Sequence, residues 1–382
     1  MGRNSVLIRR AEKYNNKSLR KIIEEIFQHW QLDSSISKGD NVLLKINLLR
    51  GAQPEEVVTT HPAIVETVAE VAGSCGARVI VGDSPGGPFK KTLLKRHYRK
   101  SGFIAGAEKG LFDLSYNTGS SELKTPEGKR AKSLPVADYI READFIINLP
   151  KLKTHGLTRY TGAVKNMFGA VPGLKKAEYH LKFPAARDMT HLFLDIYQAV
   201  KPDLNILDGV IGMEGAGPGS GKPRNFGAIA AAENGILLDL IISYLLVNNI
   251  EFWQEPLPAA CKERGIEFSP GSYKVPDWLQ EELTGAAIPK IEKSKALLSN
   301  NWPKIIRSLV NKLLRPRPEF IDKNCVGCGK CQESCPPDVI KIENGKARAE
   351  LSDCIRCFCC QEICPHRAVE INRPLLSKLF FS

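Results

Sequence analysis

The chain has 382 residues, 11 cysteines and a formal net charge of +12, and its length predicts two or three domains. No run approaches the roughly 18 apolar residues of a membrane span, and no apolar core of signal-peptide length follows Met1. Nine of the eleven cysteines lie between 325 and 364, which is not how a disulfide-stabilised secreted protein distributes them. These totals predict a soluble cytoplasmic protein.

The positive charge is confined to one part of the chain. Residues 319–373 carry eight Lys/Arg and nine Asp/Glu, so the whole basic excess lies upstream of them. Such a surface fits an anionic substrate or an acidic redox partner. Nucleic acid is a weaker alternative, because the chain has no helix-turn-helix, zinc finger or dense aromatic-plus-basic element.

The N-terminal third alternates strand and helix patterns. Apolar runs predict strands at residues 5–8, 42–47 and 78–82, and helices at residues 19–30 and 62–74. The run at 42–47 is apolar enough for a strand buried on both faces. This β-α-β order predicts an α/β domain with a mostly parallel, helix-covered sheet.

A glycine-rich loop follows the strand at 78–82. It reads Gly-Asp-Ser-Pro-Gly-Gly from Gly82. Ligands of open α/β sheets bind beyond the carboxyl ends of strands, where glycine lets backbone amides approach them. Asp83, Ser84 and Gly86 are therefore candidate substrate-binding residues. A plain Gly-Pro turn is the alternative, and a dinucleotide fingerprint is absent.

A second candidate site follows the predicted strand at 145–150. Lys151, Lys153 and His155 come directly after it, and a helix at 161–169, capped by Thr161, carries Lys165 and Asn166. A helix N-terminus beside several cations would bind an anion. The alternative is exposed lysines and a loop histidine with ordinary partners, but the clustering at one strand end favours a site.

A predicted strand at 204–209 delivers Asp208, and Glu214 follows it. The glycine-rich stretch 215–221 lacks the P-loop pattern, since Ala216 and Pro223 replace its glycine and hydroxyl residue. It is interpreted as a flap that closes over a ligand beside the two acids. Further on, residues 226–232 predict a strand, 236–247 a buried helix and 251–285 a small helical cap.

Residues 290–317 are basic, with apolar residues on one helical face from Ile305 to Leu314. A linker helix that packs two domains together is favoured over a membrane-surface helix. The Arg-Pro-Arg-Pro run ending at Pro318 marks the boundary before the cysteine-rich region.

The cysteine-rich region is duplicated with an offset of 29 residues. Each half reads C-x-x-C-x-x-C-x-x-x-C-P, and short alternating runs at 340–342 and 369–371 follow. Each half is expected to form a cysteine loop, a helical turn and a strand. Two zinc sites are the alternative, but zinc ligands usually come in pairs with a longer gap.

This spacing is the pattern of two-cluster ferredoxins, in which the fourth cysteine serves the other cluster. The first predicted [4Fe-4S] cluster takes Cys325, Cys328, Cys331 and Cys364. The second takes Cys335, Cys354, Cys357 and Cys360. Cys359 has Lys330 as its counterpart in the first half and is not expected to be a ligand. Residues 319–373 resemble the bacterial-type 2[4Fe-4S] ferredoxins, which implies a small α+β domain.

The upstream region resembles the uncharacterised family known as domain of unknown function 362, over roughly residues 40–240. The resemblance rests on Lys45-x-Asn47, Thr60-His61-Pro62, the loop 82–86, the segments 148–155 and 161–169, and Asp208-Gly209 through Gly217-Pro218. Members of that family often carry a ferredoxin module downstream. The resemblance implies a domain organisation and a set of site residues but no reaction.

The predicted organisation is an α/β domain at 1–287, a basic helical linker at 288–318, a ferredoxin-like domain at 319–373 and a tail at 374–382.

The predicted function is iron-sulfur electron transfer, through two [4Fe-4S] clusters, to or from an anionic molecule or a low-potential redox protein. In an enzyme, His155 would donate a proton, Lys153 and the other lysines would hold an anion, and Asp208 would bind a hydroxyl or metal. A carrier or cluster-delivery adaptor is the alternative, and nucleic-acid binding is a third hypothesis.

Overall fold

The computed structural model describes residues 5–247, 251–289 and 316–372. The first two ranges form an α/β module and the third forms a small cysteine-rich module. The predicted linker at 288–318 and the tail at 374–382 lie largely outside the described residues. Within the described residues, no helix is long and apolar enough to cross a membrane.

The α/β module is built on a nine-stranded sheet. Its strands are β1 (Leu7–Arg10), β2 (Asn41–Ile46), β3 (Arg78–Gly82), β4 (Asp113–Leu114), β7 (Phe145–Leu149), β8 (Lys151–His155), β9 (Arg159–Thr161), β10 (Leu204–Glu214) and β11 (Lys222–Ala232). The order is β1-β11-β10-β7-β2-β3-β4, with β8 paired to β10 and β9. The pairs β10-β7, β7-β2, β2-β3 and β3-β4 are parallel. The predicted mostly parallel sheet is confirmed.

Helices cover both faces of this sheet. They are α1 (Asn16–His29), α2 (Leu32–Ser35), α3 (Pro62–Ser74), α4 (Lys91–Lys100), α5 (Phe103–Glu108), α6 (Asp138–Arg141), α7 (Ala163–Asn166), α8 (Lys175–Lys182), α9 (Ala186–Val200), α10 (Gly235–Leu246), α11 (Pro256–Glu263) and α12 (Asp277–Thr284). A separate hairpin pairs β5 (Ser120–Lys124) with β6 (Ser133–Ala137). Leu43 packs into the core on one face of the sheet and Val42 and Leu44 into the core on the other, because successive strand residues point to opposite faces. The prediction that this strand is buried on both faces is confirmed.

Several predicted elements have different bounds in the structure. The strand expected to end at 209 continues to Glu214 and pairs in antiparallel fashion with β11. Asp208 is therefore in the middle of β10, and the segment 215–221 is a hairpin turn between two long strands. The prediction that Asp208 marks a strand end is wrong, because the β10-β11 pairing extends beyond it.

The start of α7 also differs from the prediction. Gly162 is the N-cap residue and makes no side-chain cap, and Thr161 lies in β9, where its hydroxyl donates to the Lys153 carbonyl at 3.3 Å. The carboxylate of Asp239 accepts from the backbone N–H groups of Ala163 and Val164, both at 2.8 Å. The prediction of a Thr161 cap is wrong. The expected anion site at this helix start is also wrong, since a buried protein carboxylate already occupies it.

The cysteine-rich module contains two short helices and four strands. They are β12 (Arg317–Phe320), α13 (Lys330–Glu333), β13 (Ile340–Glu343), β14 (Lys346–Ala349), α14 (Cys359–Ile363) and β15 (Val369–Asn372). The strand pairs are β12-β15 and β13-β14, both antiparallel. Each half has a cysteine loop, a helical turn and a half-buried strand, as the duplication predicts.

The two modules pack against each other through α14. The Gln361 side chain donates to the Ala216 carbonyl at 3.2 Å, and a Cβ on Gly219 would lie only 2.3 Å from the Glu362 carbonyl oxygen. The sequence predicts a flap over a ligand for the glycine-rich turn. The turn instead forms part of the surface on which the cysteine-rich module lies, and glycine at 219 allows that close approach.

Candidate functional site between the two modules

The predicted cluster ligands surround two separate cavities. One cavity, of about 340 Å³ including space open to solvent, is lined by Cys325, Cys328, Cys331 and Cys364. The other, of about 330 Å³ on the same basis, is lined by Cys335, Cys354, Cys357 and Cys360, together with Cys359. The chain therefore brings together the same two sets of four cysteines that the spacing predicts, although each set draws one member from the other half.

The donor set of each cavity fits a [4Fe-4S] cluster, which takes four cysteine sulfurs. Backbone N–H groups already point at these sulfurs: Ala347 at Cys325, Arg356 at Cys354 and Ala368 at Cys364, over 3.3 to 3.4 Å. Hydrogen bonds to the cysteine sulfurs help to set the reduction potential of a bound cluster. In the described ranges, no three His, Cys, Asp or Glu side chains converge as a single metal ion would require.

A larger cavity, the interdomain cavity, lies between the two modules. Its volume is about 790 Å³, including space open to solvent. From the α/β module it is lined chiefly by the loop after β3 and by the segment from α7 to α8. The polar residues and small loop residues of this side are Asn47, Asp83, Ser84, Gly86, Gly87, Lys165, Asn166, Lys176 and His180. The cysteine-rich module contributes Ser334, Cys359, Glu362 and Ile363.

A buried ion pair forms one wall of the interdomain cavity. The Lys45 ammonium lies 2.8 Å from Asp83 Oδ1, and both side chains are almost completely buried. Asp83 also accepts hydrogen bonds from the backbone N–H groups of Leu48 and Ser84. Burial lowers the pKa of Lys45 and raises that of Asp83, while each partner favours the other's charged form. Asp83 is thus already satisfied by protein partners.

Lys176 lies on the same wall. Its ammonium donates to Ser84 Oγ at 2.8 Å and to the Pro85 carbonyl at 3.3 Å. Burial lowers the pKa of Lys176 to about 7, although Asp83 acts in the opposite direction. An amine with that pKa can both bind an anion and exchange a proton near neutral pH.

A line of side-chain amides runs along and behind the cavity wall. Lys153 donates to Asn47 Oδ1 at 2.7 Å, Asn47 donates to Asn166 Oδ1 at 2.9 Å, and Asn166 donates to Asn148 Oδ1 at 2.7 Å. Lys153 is 2% exposed, and burial, with Lys165 and Lys151 nearby, lowers its pKa well below 10.5. Lys153 therefore supports the orientation of Asn47 and Asn166 from behind and does not line the cavity.

His155 reaches across the boundary between the modules. Its Nδ1 accepts from the backbone N–H groups of Leu157 and Thr158, so the neutral ring carries its proton on Nε2. That nitrogen lies 3.1 Å from Glu362 Oε1. Burial lowers the pKa of His155 to about 4, and Lys165 acts in the same direction. His155 is buried behind Glu362, which itself lines the cavity.

Lys165 and His180 line the cavity without direct hydrogen bonds. Lys165 makes a cation-π contact with Phe193 at 5.5 Å and interacts electrostatically with Glu362 and Cys359, among other charged neighbours. The His180 ring packs edge-on against Phe168, and burial lowers its pKa to about 4. Both side chains have hydrogen-bonding capacity left for a bound molecule.

Three predicted site residues lie away from the interdomain cavity. Lys151 and Asp208 form a fully buried ion pair at 2.8 Å, and the hydroxyl of Tyr14 lies within hydrogen-bonding distance of both. Glu214 accepts from Arg224 and from the backbone N–H of Ala287. The predicted roles of these residues as an anion clamp and as ligands for a hydroxyl or metal remain predictions.

Sequence reasoning missed Lys176, His180 and Glu362 at this site. Glu362 lies between two predicted cluster ligands, so its neighbours could have drawn attention to it. Lys176 follows the Gly-Leu-Lys run that begins at Gly173 and resembles an ordinary exposed turn in sequence. The fold places it beside Ser84 only because the chain doubles back after α7.

Comparison with known proteins identifies both modules. The family described as Domain of unknown function (DUF362) matches residues 42–243, and a 4Fe-4S dicluster domain matches residues 317–365. Thylakoid-associated protein sll1697 of Synechocystis sp. is 31% identical over 246 residues, which are 63% of this chain and 74% of the relative.

Two solved structures share a weaker likeness. The lactate racemase apoprotein of Thermoanaerobacterium thermosaccharolyticum gives a TM-score of 0.37 at 12% identity, over 61% of this chain and 55% of that one. A protein of Thermotoga maritima gives a TM-score of 0.37 at 8% identity, over 66% of this chain and 60% of that one. The chain thus spans less than two thirds of either structure.

Proposed function

Because the chain belongs to the family Domain of unknown function (DUF362) and carries a 4Fe-4S dicluster domain, we propose that it is an iron-sulfur oxidoreductase. Two [4Fe-4S] clusters pass low-potential electrons between a redox partner protein and an anionic small molecule bound in the interdomain cavity. We place it in the reducing cytoplasm, where free cysteines persist. Iron-sulfur electron transfer is the part of this proposal that the dicluster domain itself supports.

One observation carries the proposal. The interdomain cavity is lined by both modules at once, and Cys359, next to the predicted ligand Cys360, is part of its wall. An electron carrier that only docks a partner protein has no need of a concave, polar cavity beside its cluster site. An enzyme needs this arrangement, because substrate and electron source must be close together.

The bound clusters would supply or accept single electrons. The chain's own residues would bind and orient the substrate: Lys165, Lys176 and Ser84 offer donors to an anion, while Asn166 is held at the cavity wall by Asn47 and Asn148. His155 and Glu362 form a pair that can hold a proton at the cavity wall. Lys153 acts through Asn47, and the Lys45–Asp83 pair keeps the loop after β3 in place.

A metabolite-capture experiment tests the proposal. Anaerobically purified protein is incubated with a cell extract, washed, and its bound small molecules are identified by mass spectrometry. The double variant Lys165→Met, Lys176→Met is the control for the cavity. We expect an anion that the wild type captures and the control does not, and that reoxidises dithionite-reduced wild-type protein.

Other outcomes distinguish the alternatives. If wild type and control capture the same molecules, and none reoxidises the reduced protein, the adaptor hypothesis replaces this one. Nucleic-acid binding would instead appear as a mobility shift at low salt that falls steeply as salt rises.

A further inference from the structure

Cys359 lies between the interdomain cavity and one of the two cysteine cavities. It lines the interdomain cavity together with Lys165 and Glu362, and it also lines the cavity formed by Cys335, Cys354, Cys357 and Cys360. Among the described residues, the other cysteine cavity shares no lining residue with the interdomain cavity. The two predicted cluster sites are therefore not equivalent with respect to the cavity.

Cys359 also contacts a predicted ligand directly. The thiol of Cys359 and that of Cys357, two residues earlier in the chain, interact with each other. A thiol is a weak hydrogen-bond donor, and hydrogen bonds to cluster sulfurs help to set the reduction potential of an iron-sulfur cluster. The duplication does not account for this thiol, since Lys330 stands at the equivalent position of the first half.

The cavity side of Cys359 is suited to a polar occupant. Lys165 interacts electrostatically with both Cys359 and Glu362. His180 is only 8% exposed, lines the same cavity and has no hydrogen-bond partner among the described residues. Its ring nitrogens are therefore available to an occupant of the cavity. Together with Lys176, these side chains indicate an anionic ligand directly beside Cys359.

The opposite cluster site faces a different environment. Cys328 is exposed, and the neighbouring Val326 is 60% exposed. This site is accessible from the protein surface, whereas the site containing Cys357 lies against the interdomain cavity.

We propose that Cys359 couples the interdomain cavity to the cluster held by Cys335, Cys354, Cys357 and Cys360. In the cluster-loaded protein the Cys359 thiol donates a hydrogen bond to the Cys357 sulfur and so sets the reduction potential of that cluster, and charge in the cavity acts on the potential through the same thiol. The inference rests on the proposed function, because it takes two bound clusters as its starting point.

The test is an EPR-monitored redox titration of the full, cluster-loaded protein. Cys359→Ala removes the thiol but keeps the backbone N–H, so we expect a lower midpoint potential for one centre and no change for the other. Cys359→Ser restores a hydrogen-bond donor and should recover part of the shift. Cys75→Ala is the matched control, since that thiol ends α3, outside the cavity wall, and both midpoint potentials should stay unchanged.

Two ligand variants, each combined with Cys359→Ala, identify which centre is affected. In Cys328→Ala, which leaves the cavity-side ligands complete, the shift caused by Cys359→Ala should persist. In Cys335→Ala, which removes one of those ligands, the shift should disappear. A shift that follows the Cys328 site instead would overturn the inference.

Charge in the cavity is tested through Lys165. Removing this cation disfavours the more negative, reduced cluster, so Lys165→Met should lower the midpoint potential of the same centre. The shift should be smaller when Cys359→Ala is also present. Equal shifts at both centres, or a Lys165→Met shift that is the same with and without the thiol, would contradict coupling through Cys359. Lys176→Met repeats this test if the Lys165 variant does not load clusters.

Failure of this inference is distinguishable from failure of the proposed function. Iron content and the EPR spectrum of the wild type are measured first, and a protein without a cluster at the cavity-side cysteines overturns both. A fully loaded protein whose potentials do not respond to Cys359→Ala overturns only the coupling.

Discussion

Lys176 carries a charge that depends on pH close to neutrality. Burial lowers its pKa from the ordinary value of 10.5 to about 7, so between these pH values the unfolded chain holds a proton that the folded chain has lost. Stability should therefore rise as pH increases from about 7 toward 10. Lys176→Met should lack this rise. Denaturant unfolding of both proteins at several pH values under anaerobic conditions measures the difference, and parallel profiles would contradict the assignment.

Lys151 and Asp208 should matter for stability, because both charges are fully buried and 2.8 Å apart. Lys151→Met leaves the Asp208 carboxylate without its cation, and breaking a buried pair in this way costs about 3–5 kcal/mol. Chemical denaturation measures the change. Lys175→Met removes one partner of an exposed pair with Glu178 and should change the free energy of unfolding by less than about 1 kcal/mol. Equal changes in the free energy of unfolding for the two substitutions would show that the buried pair contributes no more to stability than an exposed pair.

Sequence patterns predicted which residues belong to the site better than they predicted how buried those residues are. Lys165, Asp83, Ser84, Gly86 and Asn166 do line one cavity. The loop with Asp83, Ser84 and Gly86 follows the parallel strand β3, whereas Lys165 and Asn166 follow β9, which is antiparallel to β8. Burial was not predictable in the same way. Lys151 and Lys153 follow an apolar run and look exposed in sequence, but the chain continues as β8 and hydrogen-bonds to β10 and β9, which buries both side chains.

The turn between β10 and β11 holds the cysteine-rich module in place. A methyl group on Gly219 would lie 2.3 Å from the Glu362 carbonyl oxygen, closer than any real contact. Gly219→Ala should therefore loosen the packing of α14 against the turn. Hydrogen-deuterium exchange of residues 359–363 should become faster.

Gly73 provides the matched control for that substitution. A Cβ added there meets no atom within 4 Å, and Gly73 lies inside α3. Gly73→Ala should stabilise the protein by roughly 0.5–1 kcal/mol and leave exchange at 359–363 unchanged. Unchanged exchange in Gly219→Ala as well would show that the turn does not hold the module.

Elements with strong apolar periodicity were predicted well. The helix at Pro62–Ser74 and the strand at Arg78–Gly82 have the predicted bounds, since proline begins the helix and glycine follows its end. The start of α7 was not predictable, because its cap is Asp239, which lies 76 residues later in the chain. Local sequence propensities cannot predict a capping partner that only the tertiary fold brings close.

The crossed cysteine sets are a property of the whole cysteine-rich module. Cys335→Ala should damage the cluster of Cys354, Cys357 and Cys360, although the chain turns through β13 and β14 between them. Cys364→Ala should damage the other cluster, and Cys359→Ala should leave the iron content unchanged. Iron analysis and EPR of the three variants measure this. A Cys335→Ala protein that keeps two intact clusters would contradict the crossed arrangement.

The duplication made these sets predictable from sequence, because the motif fixes both spacing and pairing. The relation between the modules was not predictable in this way. Contact between His155 and Glu362 joins residues more than 200 positions apart, and nothing near either residue in sequence indicates the other. The interdomain cavity, which carries the functional proposal, is therefore a finding of the structure.

Iron analysis and EPR of the anaerobically reconstituted, dithionite-reduced wild-type protein test the redox site most directly. We expect about eight iron atoms per chain and the spectrum of two interacting [4Fe-4S] centres. We also expect Lys165→Met to change the midpoint potential of one centre only. A colourless zinc-loaded protein or a single EPR-active centre would contradict a redox site at the interdomain cavity. Two centres whose midpoint potentials are both unchanged in Lys165→Met would contradict it as well.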